Sequence, residues 1–136
     1  MATPPASLDD LRPALESTSA TEVLHASWEA FDLSLRVADA VTWLDGVDEL
    51  RALAAARSCA AGRALLPLPQ SGRPLPLPEH PAAHTDSCAG VLRDVHRALT
   101  DLARAHPTPD ADDEVLLDAA ALAADAATAL DGLGVV

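Results

Sequence analysis

The stretch SATEVLHASWEAFDLSLRVADAVTWL, residues 19–44, decides the fold. Its apolar positions Leu24, Trp28, Phe31, Leu35 and Ala38 are spaced 4, 3, 4, 3, the seam of a helix that packs in a bundle. Val23, Ala30, Val37, Val41 and Leu44 widen that stripe, while Glu22, Glu29, Asp32, Arg36 and Asp39 mark the opposite, solvent-facing side. Ser19-Ala20-Thr21-Glu22 reads as a capping box, in which hydroxyl and carboxylate each take a free backbone N–H of the first turn. Asp45-Gly46 supplies the stop, glycine being suited to a left-handed cap.

Three more helices follow from the same reasoning. One is expected from about Val47 to Leu65, with Asp48 and Glu49 at its positive end and an inner face of Leu50, Leu53, Ala60 and Ala64. Another begins near Thr85 or Asp86 with the seam Cys88, Leu92, Val95, Leu99, Leu102, His106, and ends at Pro107 and Pro109. The last starts after Asp110 as N-cap. Its seam is Leu116, Ala119, Ala123, Ala126, Leu130, Leu133, and Gly132 and Gly134 terminate it.

Between the second and third of these, residues 66–84 hold Pro67, Pro69, Pro74, Pro76, Pro78 and Pro81, so no helix can cross. Leu-Pro-Leu-Pro occurs twice, at 66–69 and 75–78, which suggests two extended arms joined by a turn, their leucines directed at the bundle. Residues 1–18 form an N-terminal arm in which Ser7-Leu8-Asp9-Asp10 can cap a short helix limited by Pro13. Leu8, Leu11 and Leu15 share its packing face. The fold class expected is therefore all-α: an antiparallel four-helix bundle over residues 19–136, with a short N-terminal helix or arm and a long proline-rich loop.

Composition agrees. The 136 residues are 49% hydrophobic, with Ala and Leu dominant, one Phe, two Trp and no Tyr. Strong helix formers are abundant and β-formers scarce. Every basic residue is Arg or His; lysine is absent, as coding bias in a high-GC bacterial genome would produce. The formal net charge of −12 speaks against nucleic-acid binding and against docking on an anionic membrane. No apolar run reaches the roughly 18 residues of a membrane span. No export signal is recognised in the first residues, so the cytoplasm is the expected compartment, with Cys59 and Cys88 reduced.

No motif carries an obvious chemistry. Glu22-Val23-Leu24-His25 is one Glu-x-x-His element, where di-metal bundles use two such elements and further glutamates. His84 and Cys88, with His25 and His80, are the candidate metal ligands, yet their spacing matches no standard zinc pattern and Pro81 interrupts the face. Cys88 with His84 lacks the oxyanion hole that a thiol nucleophile needs. Neither cofactor nor catalytic residue is expected. An enzymatic or metal-binding bundle using His25, His84, Cys88 and His96 is the rival reading, with a small-molecule sensor as a third.

The preferred reading is a non-enzymatic protein-interaction module: an adaptor, inhibitor or immunity-type protein whose partner is another protein, a basic one in the electrostatically favoured case, or a second copy in a homodimer. The contact residues expected are Trp43, a lone aromatic near a helix end; Arg73 in the proline loop; and Asp118 and Asp125 on a last helix that carries acidic residues and no basic one.

Overall fold

A computed structural model describes residues 8–69, 75–105 and 111–133. The expectations placed on Ser7, Arg73, His106, Pro107, Pro109, Asp110 and Gly134 lie outside the described residues. The fold is all-helical, with no strand among the described residues. A 3₁₀ turn, Leu8–Leu11, runs into the short helix α1 (Arg12–Leu15), followed by α2 (Ala20–Val41), α3 (Glu49–Leu65), a second 3₁₀ turn (Pro81–His84), α4 (Thr85–Arg104) and α5 (Ala111–Leu130).

The caps follow local chemistry. Ser19 Oγ accepts the Glu22 N–H at 3.4 Å, as the capping box requires. The reciprocal half differs: the Ser19 N–H donates to Ser17 Oγ at 3.0 Å. Asp48 Oδ1 accepts the Arg51 N–H at 3.2 Å and opens α3. The α2 helix stops at Val41, earlier than Asp45-Gly46, with Thr42 as its C-cap, whose N–H and hydroxyl both donate to Ala38 O, the hydroxyl at 2.7 Å. Gly46 then takes φ 84° within the connection to α3.

The four long helices pack as a ring in which α2 and α5 each contact both α3 and α4. Consecutive in sequence, α3 and α4 pack on α2 and α5 rather than along one another, so the proline segment joins helices on opposite sides of the core. The start of α3 meets the end of α5, where Arg51 Nη2 donates to Asp131 O at 2.6 Å and Thr128 O at 3.4 Å. The start of α4 meets that same end, where the Gly132 N–H donates to Asp86 Oδ1 at 2.9 Å and Arg93 pairs with Asp131 at 2.9 Å.

The core is small-residue rich. Cys88, Leu92, Val95 and Leu99 from α4 and Ala119, Ala123, Ala126 and Leu130 from α5 are fully buried, as their spacing predicts. On α2 the expected seam holds at Phe31 and Ala38, both fully buried, but the buried stripe is centred one position over, on residues expected to widen the seam and on two serines. That stripe runs Val23, Ser27, Ala30, Ser34, Val37, Val41, while Leu24, Trp28 and Leu35 are half-buried. Two serines in that seam disguise it. In addition, α2 is enclosed on several sides: by α3, by α4, by α1 and by the Pro81–His84 turn. Glu29 and Asp32, expected in solvent, are consequently buried.

Leu8, Leu11 and Leu15 are buried and hold the N-terminal arm against the bundle. Two-residue alternation would put both leucines of a Leu-Pro-Leu-Pro repeat on one face, and neither repeat shows it; polyproline backbone, with about three residues per turn, separates positions i and i+2. The first leucine of each, Leu66 and Leu75, is buried, and the second, Leu68 and Leu77, is exposed. Only half of the loop leucines thus point at the bundle. No helix among the described residues is long and apolar enough to cross a membrane.

Candidate interaction surface

The α3 helix carries two competing faces in its sequence. One is Leu50, Leu53, Ala60, Ala64; the other is Ala52, Ala55, Cys59, Gly62. Transfer energies favour burying the leucines, but the structure buries the second set. The reason is volume. Phe31 projects from α2 towards α3, and its ring lies where a side chain at position 62 would otherwise sit. Only small residues allow α3 to close over it. Leu50 is left 79% exposed and Leu53 42% exposed, with Ala64 exposed and Ala60 half-buried, which corrects the inner face expected from the sequence.

The outward face of α3 is therefore largely apolar: Leu50, Leu53, Ala54, Ala61, Ala64 and Leu65. Trp43, 73% exposed, and the exposed Leu44 stand in the short connection just ahead of it. At its C-terminal end, Trp28 of α2 together with Ala60, Arg63, Ala64, Leu66 and Leu68 lines an open groove of about 430 Å3. Such a run of exposed large apolar side chains is unusual for an isolated domain. Arg57 stands in the middle of the face and makes no ion pair among the described residues.

A buried polar cluster backs the groove. Asp32 is held by two arginines: Arg63 Nη1 at 2.6 Å from α3 and Arg36 Nη2 at 3.0 Å from its own helix. The Arg63 guanidinium also lies 5.8 Å from the centre of the Trp28 ring, within cation–π range. Glu29 sits beside this group, 3.7 Å from His25 Nε2, where the Leu75 amide of the proline segment favours its ionised form. Burial pushes the Glu29 carboxyl above its ordinary range, with Asp32 adding to the rise. His25, the Leu75 amide and Arg36 oppose it. These carboxylates tie α2 to α3 and to the proline segment.

The other residues singled out by sequence divide clearly. Trp43 is on the surface, and Asp118 and Asp125 are exposed on α5. His25 is half-buried and engaged with Glu29, His84 is half-buried at the end of its 3₁₀ turn, and Cys88 is buried in the core. His96 is exposed, its Nδ1 lying 2.9 Å from Ala120 O. Among the described residues no three His, Cys, Asp or Glu side chains gather as a metal shell. The outward Leu50 and Leu53 escaped the sequence reading, since no linear signal distinguishes an exposed leucine stripe from a buried one. The juxtaposition of Phe31 and Gly62 across two helices is what decides it.

No protein-family model, no curated protein and no solved structure matches this chain.

Proposed function

We propose that this chain is a non-enzymatic protein-interaction module, an adaptor, inhibitor or immunity-type bundle that grips a protein partner with the outer face of α3. One observation carries the reading: the bundle buries alanines on α3 and presents its leucines to water, with Trp43 at the edge. Burying Leu50 or a comparable side chain in a partner releases about 1.5–3 kcal/mol, and an exposed tryptophan is a favoured anchor. The exposed carboxylates of the adjoining α5 add a negative border that steers a basic partner.

The test is affinity capture from a lysate of the native host, with the wild type and a Leu50→Glu/Leu53→Glu variant compared at low and high salt. Helical circular dichroism checks that the variant keeps its fold. A stoichiometric protein held by the wild type and lost by the variant is the expected result, with Asp118→Asn/Asp125→Asn removing the salt-sensitive part. Identical capture by wild type and leucine variant would overturn the assignment of this face.

A further inference from the structure

Resting on the reading of α3 as a contact face, we infer that one occupant of that face is the α5 helix of a second copy, in a closed two-fold dimer. Two adjacent outer faces have matching periodicity. On α3 the exposed stripe is Leu50, Ala54, Arg57, Ala61, Ala64, and on α5 it is Glu114, Asp118, Ala121, Asp125, Thr128. Both step 4, 3, 4, 3, the spacing of helices that interlock side by side. The first stripe is apolar with a positive centre; the second joins Ala121 and the exposed Leu117 to three carboxylates.

Charge selects how two copies meet. A two-fold axis crossing the helices would lay α3 on α3 and set Arg57 against Arg57, and would set the α5 carboxylates against each other. An axis running along the helices, between α3 and α5, lays α3 on the partner's α5 and α5 on the partner's α3. Opposite charges then meet twice, and the contact closes without growing into a chain.

The register follows from the chain itself. Arg51 reaches Thr128 and Asp131, so position 51 of α3 lies near 128–131 of α5. Arg57 is about 9 Å further along α3, at the height of about 122–125 on α5. An axis along the helices preserves these heights between copies. Arg57 thus faces the Ala121–Asp125 turn of the other α5, and Leu65 approaches the height of Leu117. Glu49 at the far end opposes Asp131, which already pairs with Arg93, and this one contact is unfavourable.

The patch is about 25 Å long and two helices, about 20 Å, wide. That is near the lower bound for a stable pair, and the net charge of −12 on each copy opposes association at long range. The dimer is accordingly weak and concentration-dependent.

Sedimentation velocity between about 10 µM and 1 mM, the range suited to weak pairing, tests it on the full chain. The wild type is expected to shift reversibly from monomer to dimer. Arg57→Asp is expected to weaken association at least tenfold, as is Asp125→Arg. The double swap Arg57→Asp/Asp125→Arg recovers at least half of the loss in log units. Both changed positions are on the surface, so helicity and melting report folding independently. A monomeric wild type throughout, an Arg57→Asp variant that dimerises as well as the wild type, or a double swap no better than either single change would each overturn the dimer. None of these touches the broader reading, which the lysate capture and its leucine variant decide.

Discussion

The ring of Phe31 rests on the bare backbone of Gly62, so closely that a methyl group there would overlap its Cζ, Cε1 and Cε2 atoms. Phe31 is fully buried and is the only phenylalanine in the chain. In an open helix, Gly→Ala is favourable by about 1 kcal/mol. At position 62 the sign reverses, because the ring is walled in and overpacking typically costs about 1–3 kcal/mol. Gly62→Ala is therefore expected to lower stability in a urea melt. Phe31→Leu/Gly62→Ala, which makes room for the methyl, is expected to recover part of it.

Gly62 also explains how much of the fold could be read directly. Helix positions, the Ser19 cap, and the seams of α4 and α5 follow from local chemistry, because their apolar stripes have no competitor. On α2 the expected seam holds at Phe31 and Ala38 but not at Leu24, Trp28 and Leu35, since Ser27 and Ser34 share the buried stripe and a serine in a helix core gives no hydropathy signal. The inward face of α3 depends on what Phe31 needs from across the interface, which is tertiary information. The same is true of Glu29 and Asp32: a carboxylate on a helix looks solvent-facing until a second helix and a proline segment are laid over it. Trp43, Asp118 and Asp125 could be placed on the surface because each lies off a strong seam.

Glu29 should impose a pH dependence of definite sign. Its carboxyl is raised above the ordinary 4.5, first by burial and then by Asp32. The folded state therefore binds this proton more tightly than the unfolded chain, and stability falls as pH rises through the raised value. Its Oε2 has no hydrogen-bond partner among the described residues, which adds to the burden of the ionised form. Glu29→Gln keeps an oxygen for the Leu75 amide and removes the charge. It is expected to melt higher than the wild type at pH 7, with the difference shrinking as pH is lowered towards 4.5. A lower melting temperature for the variant at pH 7 would show that the His25 and Arg36 attractions dominate.

Asp32 is the opposite case, a buried carboxylate with two cations on it. Removing it strands Arg63 and Arg36 against the protein. Both arginine side chains keep about a third of their exposure, 34% and 32%, which softens the penalty of a fully buried pair. Asp32→Ala is expected to lose about 2 kcal/mol of stability. Arg63 would also be freed from its place over Trp28, so in a Trp43→Phe background the remaining tryptophan emission should shift, a change that general destabilisation alone does not produce in the native state.

The two thiols give the sharpest test of core integrity. Cys59 on α3 and Cys88 on α4 are free, and neither has exposed surface. Burial is the main cause that pushes Cys59 up to about 12; Cys88 nearby adds to it and Arg63 opposes it. Burial likewise raises Cys88 to about 11, opposed by the Ser34 hydroxyl beside it. Since the thiolate is the reactive form, both should be silent towards an aromatic disulfide reagent at pH 8 and react only when the bundle opens. Labelling slower than that of the denatured chain by at least about 10³-fold is expected, a factor equivalent to about 4 kcal/mol of opening free energy. The raised values also fix a second sign: stability present below pH 9, the ordinary thiol value, is lost as pH climbs towards 11 and 12. Cys59→Ala should flatten that alkaline loss even though the small cavity lowers stability at neutral pH. Rapid native-state labelling of Cys88 alone would mean that α4 separates locally from α2 while the Phe31–Gly62 contact between α2 and α3 holds.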